Sequence, residues 1–339
     1  MKRKIFIAFL FICAGLYSLY AREPEEFTRN SQAMNTIIRI TVYGHDDSPL
    51  DDAFSLLDEL DRRLSMYNPS SDISLINSSA GLQPITASPH TLKAVKDGIR
   101  LHRITGGVFN PLIGAVTKLW KINRADGKAP SPESLDSAVK LSDIRNLSVS
   151  GDKIYLRENG CVLDLGGVAK GYASSEISRL LKGKGIQSAM IDLGGNVHAV
   201  GSKIDGSAWR VGIRNPLQPF GTPALVVDVK DCAVITSGNY ERYKVIDGKK
   251  YSHFFDPLTG GSVNSDLLSV TVISEDGSLA DGLATAFMIT GVDKALGILR
   301  AMDNPPGVVF ITQEGIIATS NLRDVITKSL IPVVFREVR

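Results

Sequence analysis

The stretch Leu163-Asp164-Leu165-Gly166-Gly167-Val168-Ala169-Lys170-Gly171-Tyr172 decides how the rest of the chain is read. An apolar run ends in an acid, passes through two glycines and opens a helical pattern with an early lysine. Glycines at a strand-to-helix turn let backbone N–H groups approach an anion, and a helix N-terminus favours negative charge. Lys170 adds a point charge suited to phosphate. The spacing is neither GxxxxGK[ST] nor GxGxxG, so neither nucleotide fingerprint applies. A tight turn followed by a surface lysine explains the stretch equally well. Asp-Leu-Gly-Gly recurs at Asp192-Leu193-Gly194-Gly195, followed by Asn196, where a turn that needs glycine φ angles is explanation enough.

Outward from this stretch, helix patterns dominate residues 50–140. Leu50, Ala53, Phe54, Leu57, Leu60 and Leu64 recur at three- and four-residue spacing, which predicts an amphipathic helix over Asp51–Tyr67. Ser48-Pro49, Ser88-Pro89 and Ser131-Pro132 each read as an N-cap and first helical residue. Met34–Tyr43 is β-branched and strand-like. From Leu147 onward short strands are expected at Lys153–Arg157, Cys161–Leu165, Ala189–Leu193, Trp209–Ile213, Ala224–Val229, Ala233–Thr236, Leu268–Ile273 and Val308–Thr312. Helices interrupt them at Ala169–Lys182, Leu279–Thr290 and Val292–Met302. Segregated helices and strands favour α+β over a doubly wound sheet.

The chain has 339 residues, 43% of them apolar and 22% charged, which is a globular balance. Disorder, collagen and a multi-span membrane protein are excluded. Lys2-Arg3-Lys4, the apolar run Ile5–Ile12 and the small-residue stretch to Ala21 read as a secretory signal peptide over 1–21, cleaved after Ala21 or Ser18. The run is too short to span a bilayer, which takes about 20 apolar residues. Cys13 lies where a lipoprotein cysteine would, but Ile12 is a poor residue to precede it. Three of the 38 basic residues belong to this leader, leaving 35 against 36 acidic. No electrostatic footprint for nucleic acid remains. Cys161 and Cys232 are too few for a disulfide scaffold, and their pairing is left open. Residues 22–339 read as one unit, helix-rich over about 48–145 and strand-rich over about 146–335.

Two further places carry chemistry. His253-Phe254-Phe255-Asp256-Pro257-Leu258-Thr259-Gly260 delivers a histidine and an acid to a Pro-Gly turn. His253 is a candidate general base, against the commoner case of a structural histidine at a strand end. Asp281 and Thr285, at i and i+4, share a helix face. A carboxylate and a hydroxyl are hard oxygen ligands of the kind Mg²⁺ takes, although an acid on a helix dipole would look the same. HExxH, CxxC and GxSxG are absent, which removes zinc-protease, thioredoxin and α/β-hydrolase readings.

In order and spacing these pieces resemble the ApbE family of flavin transferases. The resemblance starts at Met34-Asn35-Thr36 and passes through Leu64-Ser65-Met66-Tyr67, Ser71-Asp72-Ile73-Ser74 and Gly107-Val108-Phe109-Asn110-Pro111. It continues through Asp164–Tyr172, Ser237-Gly238-Asn239-Tyr240 and His253–Gly260 to Ala280-Asp281-Gly282-Leu283-Ala284-Thr285. It implies a T-fold-related α+β architecture with two lobes around a flavin-nucleotide site. It also implies Mg²⁺-dependent cleavage of the FAD pyrophosphate, with FMN passed to a Thr or Ser of a target flavoprotein and AMP released. Hydrolysis of FAD to FMN and AMP, or FAD binding without turnover, are the alternatives. By resemblance Met34, Asn35, Tyr67, Val108, Phe109, Asn110, Asp164, Lys170 and Phe255 hold the nucleotide. Asp281, Thr285 and the Gly167 carbonyl ligate Mg²⁺, with the Ala284 carbonyl assisting. His253 serves the acceptor hydroxyl, with Asp256 as alternative base or orienter. The implied acceptor is an exported or membrane-bound flavoprotein of the redox-pump-subunit type, and the implied location is periplasmic, with a membrane tether left open. Three departures stand out: Asn35 where the family has Gly, Ser174-Ser175 where an acid is usual, and Ser262-Val263 after Thr-Gly. The first bears on the balance of transfer and hydrolysis.

Overall fold

A computed structural model describes residues 23–122, 128–219, 221–263 and 265–338. The leader expected over 1–21, with Cys13, lies outside the described residues. Helices α1 (Ser48–Leu64), α2 (Asp72–Ser78), α3 (Pro89–Ile104), α4 (Gly114–Trp120) and α5 (Pro132–Leu141) precede the strand-rich part. Helices α6 (Ala169–Gly183), α7 (Gly277–Thr290) and α8 (Val292–Arg300) interrupt it.

The centre is a nine-stranded sheet. Its strands lie in the spatial order Glu25–Ala33, Thr36–Gly44, Ser188–Leu193, Asn196–Gly201, Ala233–Gly238, Leu267–Ser274, Gly307–Thr312, Ile316–Thr319 and Val333–Arg336. All neighbours are antiparallel except the last pair. Side chains alternate across a strand, so the strands between the two edges feed two cores. Val308 and Phe310 face the helices, whereas Val309 and Ile311 face a three-stranded sheet built on Trp209–Arg214, Pro223–Val229 and Ile326–Ser329. Helices on one face of an antiparallel sheet make the fold α+β, as the segregated pattern predicts.

Helix α7 is apolar nearly all round, the signature of a buried helix, and it packs between α6 and the strands Ala233–Gly238 and Leu267–Ser274. Leu283, Ala284, Ala286 and Phe287 are fully buried; truncating Leu283 to Ala costs about 2–5 kcal/mol. The axes of α6 and α7 approach so closely that a Cβ on Gly171 would lie 2.1 Å from the Gly277 carbonyl oxygen. A two-stranded hairpin, Tyr243–Ile246 paired with Lys249–Ser252, forms a sheet of its own.

The predicted apolar spacing of α1 holds, since Leu50, Ala53, Phe54, Leu57, Leu60 and Leu64 are all buried. Its start does not. Asp47 occupies the N-cap, Ser48 is the first helical residue, and no side chain caps the end. At Ser88 and Ser131 the reading is correct, with the hydroxyls accepting from Thr91 N and Ser134 N. The strand expected from Met34 begins at Thr36, because Met34 and Asn35 adopt positive φ (50° and 59°) as the two central residues of a tight hairpin turn. Cys161–Leu165 is not a strand beyond a single bridge from Val162 to Ile113. The Asn77 side chain takes the place of a strand neighbour: it accepts from Leu163 N at 2.7 Å and donates to Leu163 O at 3.0 Å. Among the described residues Cys161 and Cys232 are buried and unpaired, in cores on opposite faces of the central sheet.

Candidate active site

The glycine turn that leads into α6 opens onto a cavity of 610 Å³. That volume lies in the range of small-molecule and cofactor pockets. Of the residues singled out in the sequence, Tyr67, Val108, Phe109, Asn110, Asp164, Gly167, Lys170, His253, Phe255, Asp281 and Thr285 line it. Segments separated by more than two hundred residues in the chain converge there.

The first glycine turn supplies the floor. Asp164 Oδ1 accepts from Gly166 N at 2.8 Å, which closes the turn, and α6 starts with no side-chain cap. Burial raises the Asp164 carboxyl above the usual carboxylate range, opposed by the Gly166 N–H, Thr117 and the charges of Arg242 and Lys118. Helix α7 faces this floor. Asp281 Oδ2 accepts from Gly171 N at 2.9 Å, so a residue of α7 satisfies an N-terminal donor of α6. Asn196 Nδ2 lies 3.4 Å from Asp281 Oδ1. Asp281 is 4% exposed, and burial raises its carboxyl, with Lys170 the first opposing influence. A Cβ on Gly167 would meet Thr285 Oγ1 at 3.2 Å and Phe109 Cε2 at 3.1 Å, so these three positions touch. Asp281 and Thr285 thus bring a carboxylate and a hydroxyl to the cavity wall they share with Gly167 and Lys170, a donor chemistry that fits a divalent cation of the Mg²⁺ type.

The side wall is held from behind. Phe109 N donates to Thr105 Oγ1 at 2.9 Å, and Phe109 O lies 3.0 Å from His102 Nδ1. Asn110 lines the cavity while its amide braces the loop, donating to Ser142 O and accepting from Leu112 N. Phe255 stacks on Trp120 at 5.7 Å between ring centroids, and Trp120 Nε1 donates to Gly260 O at 2.7 Å. Tyr67, 64% exposed, stands at the rim.

His253 Nδ1 lies 3.0 Å from the Arg242 carbonyl oxygen. A carbonyl only accepts, so Nδ1 carries the proton and Nε2 keeps its lone pair. Burial pushes the imidazole down to about 4; the Arg242 carbonyl opposes this, and the charges of Arg242 and Lys170 add to it. The ring is neutral at pH 7, so Nε2 offers a lone pair to the cavity, while the same burial weakens it as a base.

Four expected residues are not among the cavity's lining. Met34 and Asn35 form the hairpin turn described above, where Asn35 is a residue type that tolerates positive φ. Asp256 uses Oδ1 to accept from Leu258 N and its backbone to close the turn with Gly260 and Gly261, so its placement is that of a turn former. Ala284 is fully buried in α7. Conversely, Glu241, Arg242, Lys118 and Thr117 line the cavity without having been singled out. Glu241 is raised by burial within the cavity walls, opposed first by Lys170 and Arg242. Its place next to Ser237-Gly238-Asn239-Tyr240 was the available signal. Asn196 had a signal as well, since it ends the second Asp-Leu-Gly-Gly copy, but the turn hid its side chain's role.

The family model described as the ApbE family matches residues 34–310. A protein of Treponema pallidum named FAD:protein FMN transferase is 32% identical over 319 residues, covering 88% of each chain. An Escherichia coli K12 protein of the same name is 31% identical over 76% of this chain and 75% of its own length. The flavin transferase ApbE of Vibrio cholerae superposes with a TM-score of 0.80 at 28% identity, covering 89% of this chain and 99% of the other. The ApbE protein of Thermotoga maritima does so with a TM-score of 0.82 at 25% identity, covering 90% of this chain and all of the other. Sequence, fold and cavity agree, and the chain belongs to the ApbE family.

Proposed function

We propose that this protein is a FAD:protein FMN transferase that uses Mg²⁺. The observation that carries the reading is one cavity in which a hard-oxygen corner (Asp281, Thr285, Gly167), a lysine and an unprotonated imidazole nitrogen come together. The Asp281 carboxylate, the Thr285 hydroxyl and the Gly167 carbonyl would hold Mg²⁺, which would supply neutralising charge to the pyrophosphate. Lys170, at the start of α6, adds positive charge fixed in place before reaction, which is the form of electrostatic stabilisation that costs no reorganisation. Phe109, Phe255 and Tyr67 offer aromatic surface for a planar ring system. His253 Nε2 takes the proton of the acceptor hydroxyl. The oxygen forms a bond to the FMN-side phosphorus, the bond from that phosphorus to the bridging oxygen breaks, and AMP leaves with the bridging oxygen. With water as the attacking species the same steps give free FMN. Residues 1–21 support export, so the acceptor is an exported or membrane-bound flavoprotein.

The test is to incubate the full chain with FAD, Mg²⁺ and a threonine-bearing acceptor and to follow AMP, free FMN and acceptor-bound FMN. AMP with acceptor-bound FMN supports transfer. AMP with free FMN alone replaces the reading by hydrolysis. Bound FAD without AMP replaces it by a flavin carrier.

A further inference from the structure

The hairpin Tyr243–Ile246/Lys249–Ser252 is the one strand pair beside the cavity that joins no larger sheet among the described residues. Its two legs run directly into Arg242 and His253, both of which line the cavity. An Asp247-Gly248 turn with φ of 50° and 74° closes its far end tightly. Directly paired residues share a face. Lys244 and Tyr251 form the inner one, where the Tyr251 ring centre lies 5.0 Å from that of Trp120 and Lys244 is buried with no partner for Nζ among the described residues. Tyr243, Val245 and Lys250 form the outer one. Tyr243 and Val245 are 49% and 58% exposed, and Lys250 Nζ sits 4.2 Å from the Tyr243 ring centre. Among the described residues, no backbone hydrogen bond ties 243–251 to anything but the hairpin itself. On the exposed part of the hairpin Lys249 and Lys250 outnumber Asp247, in a chain whose overall charge is nearly balanced.

An edge with free N–H and C=O groups, alternating exposed apolar side chains and local positive charge is what an extended peptide uses when it adds a strand. We propose that this hairpin docks the acceptor polypeptide, as an extended segment with acidic residues flanking its Thr or Ser. The inference rests on the transferase reading. It follows from continuity: the acceptor hydroxyl must reach His253, and the leg that ends at His253 is this hairpin. Charge complementarity selects the acidic flank.

The test uses the full chain, FAD, Mg²⁺ and three synthetic 15-residue peptides with a central threonine, flanked by Asp/Glu, by Ser/Gly or by Lys. FMN attached to peptide is read by mass spectrometry, and AMP released without peptide is read in parallel. The acidic peptide is expected to show kcat/KM about tenfold above the neutral one, the size of a modest electrostatic preference in association. Lys250→Glu, and separately Val245→Asp, should erase that advantage while acceptor-free AMP release stays unchanged. The milder Lys250→Gln should erase part of it. An unchanged peptide order in these variants overturns the docking site. So does loss of acceptor-free AMP release in step with peptide labelling, which would mark damage to the cavity. Absence of labelling of all three peptides with AMP still released overturns recognition of an extended segment. Binding of phosphatidylglycerol vesicles that the charge reversal abolishes, with peptide order unchanged, assigns the basic hairpin to a membrane surface instead. Failure to release AMP under any condition overturns the transferase reading itself, and the docking with it.

Discussion

The chain contains Asp-Leu-Gly-Gly twice, and the two copies fold differently. At Asp164 neither glycine has positive φ, and the turn leads into α6 beside the cavity. At Asp192 both glycines do (67° and 91°), and the turn joins two neighbouring strands of the central sheet. Both acids cap their own turn, Asp164 from Gly166 N and Asp192 from Gly195 N. The glycines therefore serve different ends. Gly167 leaves room between Phe109 and Thr285, whereas Gly194 supplies a dihedral that other residues rarely adopt and also lies hard against Thr36. Four identical letters give a turn that lines the cavity in one case and a turn between two strands in the other. The segment downstream decides between them: a helix with Lys170 after the first copy, a strand beginning with Asn196 after the second.

If that division is right, the groups that converge on the first copy should outweigh everything done to the second. The largest effect is expected from His253→Ala, with turnover lower by roughly 10²–10⁴ and FAD binding retained. The wild-type rate should fall as pH drops through about 4, because protonation of the folded imidazole there removes the base; quenched rates against pH check both, and the acid limb should vanish in the variant. Lys170→Met comes next, expected to lower kcat by roughly 10²–10³, the range for removing one fixed electrostatic donor. No residue of the second copy should match it when AMP release is measured.

A matched pair sharpens the comparison. Gly167→Ala should lower activity by about tenfold, equivalent to about 1.4 kcal/mol, while thermal unfolding barely moves. Gly194→Ala should do the reverse, losing about 1–3 kcal/mol of stability through backbone strain, with kcat kept at low temperature. If both variants lose activity and stability together, the two turns are not separable. The smallest effect is expected at Asn35. Asparagine and glycine both tolerate its positive φ, so Asn35→Gly should fall within about 0.5 kcal/mol of wild type in denaturant unfolding. The ratio of free to acceptor-bound FMN should also stay where it was.

The parts of the site written locally were legible. Asp281 and Thr285 are one helical turn apart, and the Asp164–Tyr172 stretch marks its own junction between turn and helix. The Ser-Pro caps at Ser88 and Ser131 needed nothing beyond three residues. What escaped was tertiary. Asn77 holds the Leu163 backbone from 86 positions away, and an apolar run without that partner reads as a strand. Asn196 reaches Asp281 across 85 positions, and Trp120 fixes Gly260 across 140. Glu241 and Arg242 lie just after a recognisable stretch but carry no periodicity of their own. Asp256 is read as chemical from an acid beside a histidine, a reading that carries no information on its turn. In the folded chain its Oδ1 accepts the Leu258 N–H of its own turn.

The two buried cysteines have a consequence for how the chain is made. Disulfide exchange runs through the thiolate, and burial raises both thiols, Cys232 to about 11. Once folded, neither is an effective nucleophile, even in an oxidising compartment. Before folding nothing protects them, and a bond between Cys161 and Cys232 would tie together two cores that belong on opposite sides of the sheet. If the leader read over residues 1–21 exports the chain, the hazardous interval is the one between translocation and collapse. Rapid burial of the two sulfurs is then itself the antioxidant defence.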